Sequence, residues 1–279
     1  MNFINLNLFL DLIIYSLIPL GLWFSLRIMK YPDLAIEQVF VLGGVIFALC
    51  IESQVNISIL IISIVVSSII LGFTTSLIRY KLSINPIIIS LIMSYIYYSV
   101  SLVLLGKPNL SLSEYYNRVD STFLFWGLIS FFCFVTIISH FLLKSNIGNK
   151  VIATGCNSSL SKGLGFKSFA YGGIGLSVSY FIILTAGAFY SVKLRNADIS
   201  YGGGFLLMGL FVVLLSRIFD KRISLIRNAG IILLISSIYA IILQLIIILN
   251  LPTELTRGFY AIMLLFLVII SPKSNFKLF

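Results

Sequence analysis

The feature that most constrains this chain is its succession of apolar runs, most of them close to the length of a bilayer crossing. Nine are present, at about 8–26, 34–51, 57–78, 84–105, 121–143, 169–190, 204–216, 228–249 and 258–271. A helix needs about 20 mostly apolar residues to cross hydrocarbon. The seventh and ninth runs are short, so tilt or a re-entrant course widens the expectation to eight to ten crossings. Only 10% of residues are charged and 59% are hydrophobic. A soluble domain carries roughly 25% charged residues, and one this apolar would leave large greasy patches in water. The expected class is therefore an all-α, polytopic integral membrane protein. No loop is long enough to bury a core of its own, so residues 1–279 are read as one transmembrane domain. The first run lacks a basic flank and a small-residue cleavage site, and is read as a retained membrane helix.

The net charge of +10 reflects either nucleic-acid binding or membrane topology. Lys and Arg sit in short loops between apolar runs, with no basic helix carrying interleaved aromatics. No nucleic-acid partner is expected on that pattern; the partner is the lipid bilayer. With the N-terminus outside, the inside segments hold Arg27, Lys30, Arg79, Lys81, Lys144, Lys150, Lys162, Lys167, Arg217, Lys221, Arg222, Arg227, Lys273 and Lys277, fourteen of the 19 basic residues. The outside segments hold Lys107, Arg118, Lys193, Arg195 and Arg257, with Glu52, Glu114, Asp120, Asp198 and Glu254. The positive-inside bias thus predicts N-terminus out, C-terminus in and an odd number of spans. Pro86 after Asn85 suits a helix start, and Lys107-Pro108-Asn109 breaks the chain after the fourth run. Tyr115 and Tyr116 in the outside loop are interfacial aromatics. Gly172, Gly173 and Gly175 allow close helix approach.

The longest polar interval is Lys144–Ser168, which carries Lys144, Lys150, Lys162 and Lys167 and no acidic residue. It divides the apolar runs into two blocks and is expected to face the cytoplasm.

Polar groups inside a bilayer are costly and tend to be functional or paired. Two stretches qualify. In Tyr31–Phe40, Asp33 and Glu37 are four apart, on one helical face, and Gln38 follows. Either Asp33 caps a helix and Glu37 reaches interfacial water, or the three line a transport path or hold a broken helix. In Lys193–Gly204, Asn196, Asp198 and Tyr201 precede three glycines and a short apolar run. That is either an ordinary outside loop or a discontinuous helix beside a path.

Catalytic chemistry finds no footing. His140 is the single histidine and reads as an interfacial side chain. Gly175-Leu-Ser-Val-Ser179 lacks the final glycine of a serine elbow. Cys50, Cys133 and Cys156 are odd in number and unpaired by spacing. No phosphate-binding loop or metal-ligand cluster occurs, so the chain is expected to bind no cofactor, ATP or metal itself.

Four segments together resemble one family. Tyr31-Pro-Asp-Leu-Ala-Ile-Glu-Gln-Val-Phe40, followed by Leu42-Gly43-Gly44, is similar to Phe-Pro-Asp-Leu-Thr-Val-Asp-Gly-Ser-Phe and Leu-Gly-Ala. Ala153-Thr-Gly-Cys-Asn-Ser-Ser-Leu-Ser-Lys-Gly-Leu-Gly-Phe166 is similar to Ala-Thr-Gly-acidic-Asn-Pro-x-x-Ala-Arg-x-x-Gly-Ile. Gly202–Leu215 resembles Gly-x-Gly-Phe followed by Gly-Leu-Ala-x-Val, and Leu251–Ile270 resembles the last helix and its approach. The family is that of the permease subunits of ABC importers in the branched-chain amino acid and ribose permease group. The nearest branch handles amino acids, including tryptophan-like compounds. Cys156, Ser158 and Ser161 depart from the coupling-loop pattern, Gln38 and Val39 from Gly-Ser, and Ser216-Arg217 from Gly-Glu.

The resemblance implies a permease that performs no covalent chemistry and moves a small polar solute, an amino acid or related compound, while a separate ATPase uses ATP. Ala153, Gly155, Asn157, Leu160, Lys162 and Gly165 would belong to the coupling loop. Asn157 would start its short helix and Gly165 would end it. Asp33, Glu37, Gln38, Asn196, Asp198 and Tyr201 stand as substrate-path candidates. The implied partners are a cytoplasmic ABC ATPase, a second permease copy or paralogue, and an extracytoplasmic substrate-binding protein, at a bacterial cytoplasmic membrane. The rival reading is an ion-coupled carrier or channel without an ATPase. Such a carrier wants buried acids in mid-helix, and the runs after the second are almost free of them.

Overall fold

The computed structural model describes residues 3–82, 84–112, 121–219, 225–248 and 255–270. A helix stands at each of the nine apolar runs. In chain order these are α1 (Phe3–Trp23), α2 (Ile36–Glu52), α3 (Ile57–Leu82), α4 (Pro86–Leu105) and α5 (Ser121–Lys144). After the polar interval come α8 (Ser168–Leu194), α9 (Phe205–Phe219), α10 (Leu225–Ile248) and α11 (Leu255–Ile270). Among the described residues, five stretches are long and apolar enough to cross a bilayer: Asp11–Ile28, Ile57–Leu82, Pro86–Leu105, Ser168–Leu194 and Ile199–Phe219. A sixth follows if α5 and the helix after it are one bent span. At 17 residues, α2 is short for a full crossing.

The polar interval holds a second helix besides the short one expected between Asn157 and Gly165. It folds as α6 (Asn146–Cys156) and α7 (Ser158–Gly163), with α6 turned 81° from α5. Ser145 makes that corner: its Oγ accepts from the Gly148 amide at 3.1 Å. A second departure from an all-helical chain is a small antiparallel ladder of β1 (Asn109–Ser111) and β2 (Asn196–Asp198), register Leu110 to Ala197. The segments after α4 and after α8 satisfy each other's backbone groups there, and Leu110, Leu112 and Ala197 are buried beneath.

The starts and stops follow local chemistry. Asn85 Oδ1 accepts from the Ile87 amide at 2.9 Å, with Pro86 as the first residue of α4. Gly106 ends that helix at φ 67°. The segment around Tyr115 and Tyr116, the basic residues Lys221, Arg222, Lys273 and Lys277, and the side chains of Leu160, Arg227 and Arg257 lie outside the described residues.

At the centre of the bundle lies α8, packed against α1, α2 and α3. Lipid tails are as apolar as leucine, so helices gain by close approach and by hydrogen bonds across the contact. Both occur here. A Cβ on Gly43 of α2 would overlap the Leu184 carbonyl of α8, and one on Gly187 of α8 would overlap the Phe40 carbonyl of α2. Gly173 lies against the Phe73 ring of α3. Ser179 Oγ donates to the Gly21 carbonyl of α1 at 2.8 Å, and Ser76 Oγ of α3 to the Phe169 carbonyl at 2.7 Å. Outward, α3 and α4 expose rows of Ile, Val and Leu, such as Ile62, Ile70, Ile88 and Val103, that suit hydrocarbon.

Gly187→Ala is expected to lower the thermal stability of the detergent-solubilised chain by about 1–3 kcal/mol, the cost of overpacking. Gly230→Ala, with open space around its Cβ position, is expected to be neutral or slightly stabilising. Equal melting temperatures for the two variants would show that the α2–α8 crossing is not close-packed.

Candidate functional site

The two ends of the bundle carry different groups. At one end a π-helical turn, Phe24–Ile28, continues α1 and ends beside α6. Arg79 of α3 donates there to the Met29 carbonyl at 3.2 Å and the Lys30 carbonyl at 3.4 Å. At the other end stand the β1–β2 ladder and the Asp11–Lys193 ion pair. Of the basic residues expected inside, Arg27, Lys30, Arg79, Lys150 and Lys162 belong to the first end. Lys107, Lys193 and Arg195, expected outside, belong to the second.

Between the ends, the chain doubles back. After Met29 it runs from Lys30, at φ 49°, through Pro32 and Asp33 to the start of α2. Asp33 is 1% exposed, and its Oδ1 accepts from the Ala35 amide at 3.0 Å. Its neighbours are Tyr31, Tyr97 near the middle of α4, and Tyr180 near the middle of α8. Asp33 therefore sits deep in the bundle, beside the middle of α4 and α8, and α2 begins there. The Tyr97 and Tyr180 hydroxyls meet Thr75 Oγ1 at 2.7 and 3.5 Å.

One turn on, Glu37 Oε1 accepts from the Gly204 amide at 2.9 Å and the Leu206 amide at 3.1 Å. It is the acceptor for the first amides of α9. The two polar stretches singled out in the sequence thus meet: a carboxylate of one caps the short helix that follows the other. Gly202 packs on the Glu37 carbonyl, and Gly204 turns at φ 101°.

Of the other path candidates, Asn196, Asp198 and Tyr201 stand together at the ladder end. Asp198 is spent locally, accepting from the Ser200 amide at 2.7 Å and from Asn109 Nδ2 at 3.2 Å. Asn196 pairs with Ser111 across the ladder. Tyr201 meets Tyr190 edge to face at 5.6 Å. Gln38 Oε1 is buried without a hydrogen-bond partner. Glu37 joins the ladder end to α2, whereas Asp33 belongs to a separate tyrosine cluster. The sequence reading missed Thr75, Tyr97 and Tyr180, whose signal was a polar atom in the middle of an apolar run.

In the polar interval, Asn157 Oδ1 accepts from the Ser159 amide at 3.0 Å, at the start of α7. Gly165, at φ 77°, donates to the Lys162 carbonyl at 3.0 Å beyond its end. Ala153 and Gly155 lie on α6, and Lys162 is exposed on α7, which also carries Leu160. A Cβ on Gly155 would overlap the Ile28 carbonyl and lie 2.8 Å from Met29 Cα. Backbone therefore rests on backbone between α6 and the π-helical turn. Lys150 lies over the Phe166 and Tyr171 rings at 5.2 and 5.4 Å, which ties α6 to the start of α8.

A helical bundle with several membrane-length apolar helices and outward rows of Ile, Val and Leu is that of a multi-pass membrane protein. A family model for the permease component of the branched-chain amino acid transport system matches residues 4–268, and the chain belongs to that family of ABC-type membrane transport components. It is 22% identical over 228 residues to the tyrosine transport system permease protein of Clostridioides difficile (strain R20291), covering 81% of this chain and 77% of that one. It is 30% identical over 220 residues to an uncharacterized protein of Rickettsia prowazekii (strain Madrid E), covering 78% of each. No solved structure matches significantly.

Glu37→Ala leaves two deep amides without an acceptor and is expected to cost about 1–3 kcal/mol. Glu37→Gln, which keeps an acceptor oxygen, should cost less. Thermal denaturation in detergent compares them, and no loss in either variant would remove Glu37 as the cap of α9.

Proposed function

We propose that this chain is the membrane-spanning permease subunit of an ATP-binding-cassette importer that moves an amino acid or a related small polar solute. The observation that carries this reading is the family match across residues 4–268. The resemblance to a permease of a tyrosine transport system favours an amino-acid cargo. The membrane is the bacterial cytoplasmic one, crossed nine times with the N-terminus out and the C-terminus in. The end that carries α6 and α7 then faces the cytoplasm, as its lysines require.

The mechanism is rigid-body gating by a partner. The α6–α7 pair presents Ile147, 50% exposed, and Leu164, 60% exposed, beside Lys144, Lys162 and Lys167. An apolar contact rimmed by cations suits a groove on a cytoplasmic ATPase, which hydrolyses ATP. Displacement of α6 bears directly on Ile28 and Met29 through Gly155, and from there on the segment that leads to Asp33. A second permease copy or paralogue completes the path, and an extracytoplasmic binding protein delivers the solute to the ladder end. A carrier or channel would need no such docking pair.

Affinity purification from the native membrane is expected to bring down an ATPase with a phosphate-binding loop. Replacing residues 153–166 by a Gly/Ser linker should lose it. An intact chain that purifies without any ATPase, under conditions that preserve complexes, would favour the carrier or channel. Gly155→Val is expected to retain the ATPase and lose most uptake in proteoliposomes, because the pair still docks but no longer seats on Met29. Full uptake in that variant would place the lever elsewhere.

A further inference from the structure

Among the described residues, Asp33 is the one wholly buried carboxylate, and no ion pair holds it. Oδ1 is used by the Ala35 amide. Oδ2 makes no well-formed hydrogen bond, although the Tyr180 hydroxyl stands beside the carboxylate. The Tyr31 hydroxyl, equally buried, has no hydrogen-bond partner either. The nearest cation is otherwise engaged. Arg79 donates to two carbonyls, and its guanidinium lies 5.0 Å over the Tyr31 ring.

An ionised carboxylate only accepts hydrogen bonds, so the group missing from Oδ2 is a donor. At this depth an unpaired charge costs several kcal/mol, and a cation offsets that cost. The surroundings choose among cations. The Tyr97 and Tyr180 rings meet edge to face at 6.3 Å, with Tyr31 nearby. Aromatic faces attract a compact organic cation, whereas a hard metal ion takes six or more oxygen ligands. We propose that Asp33, with Tyr31, Tyr97 and Tyr180, is a binding station for the primary ammonium group of the transported solute. This rests on the importer reading and adds to it that the permease itself contacts the amino end of its cargo. All four side chains are at most 2% exposed, so the station is closed here. It opens when residues 29–35 move, and that segment follows directly on the Met29 contact with α6.

The test uses the permease co-purified with its ATPase, in nanodiscs and without the binding protein. Melting temperature is recorded with each proteinogenic amino acid in turn. For those that stabilise, it is recorded again with the amine lacking the carboxylate and with the acid lacking the amine. The expected result is that at least one amino acid and its amine stabilise the wild-type protein and the acid does not. Asp33→Asn keeps the acceptor for Ala35 and should bind roughly ten- to a hundredfold more weakly, the loss of one charge-assisted bond. The proposal is overturned if no amino acid stabilises the wild-type protein, if the acid alone does so, or if Asp33→Asn binds as well. That last outcome would mark Asp33 as a protonated structural carboxyl. Should Asp33→Asn not fold, Tyr31→Phe decides: several-fold weaker binding supports the station and unchanged binding overturns it. If no ATPase co-purifies, the importer reading fails, and the same titration on the chain alone still decides the station.

Discussion

A helix that begins inside hydrocarbon must find acceptors for its first amides, because no water is there to supply them. The Glu37 carboxylate meets that demand for α9, taking the Gly204 and Leu206 amides on one oxygen. Much else follows from this contact. It fixes how α2 stands against the turn before α9. It makes Gly202 and Gly204 useful: a Cβ on Gly202 would crowd the Glu37 carbonyl, and Gly204 turns at φ 101°. It also accounts for an acid inside an apolar run, because an anion at the positive end of a helix dipole is stabilised where an isolated one is not.

The second constraint is the close contact between α2 and α8. Without a hydrophobic force between helices, the bundle relies on dispersion and on short polar contacts. Gly43 and Gly187 bring the two backbones together. Ser179 of α8 adds a bond to a carbonyl of α1, and Ser76 of α3 one to a carbonyl of α8. Since α8 is buried on most sides, it carries almost no amphipathic signal, as expected of a helix apolar all round.

This explains what the sequence made legible. Run length and hydropathy place the helices well, and Asn85-Pro86 and Gly106 mark their ends by local chemistry. The sorting of Arg79 and Lys150 from Lys107 and Lys193 agrees with the two ends of the bundle. The ladder of residues 109–111 with 196–198 was not legible, for three-residue strands joined across a long sequence separation leave no local pattern. Nor was the depth of Asp33. Its type and its spacing from Glu37 were visible, but its burial depends on Tyr97 and Tyr180, which read as ordinary members of apolar runs. The short π-helical stretch before Met29, likewise, has no sequence period of its own to betray it.

These pieces form one mechanical chain. The α6 backbone rests on Ile28 and Met29 with no side chain between, so it moves them without the slack of rotamers. Arg79 grips the Met29 and Lys30 carbonyls, and three residues after Lys30, Asp33 lies in the tyrosine cluster. Four residues beyond, Glu37 holds the start of α9. A shift at the α6 end of the bundle that pulled Met29 away from Arg79 would therefore reach the Asp33 cluster and the α9 cap through one continuous stretch of backbone. Lys30, held in the left-handed region that non-glycine residues seldom adopt, lies within that stretch.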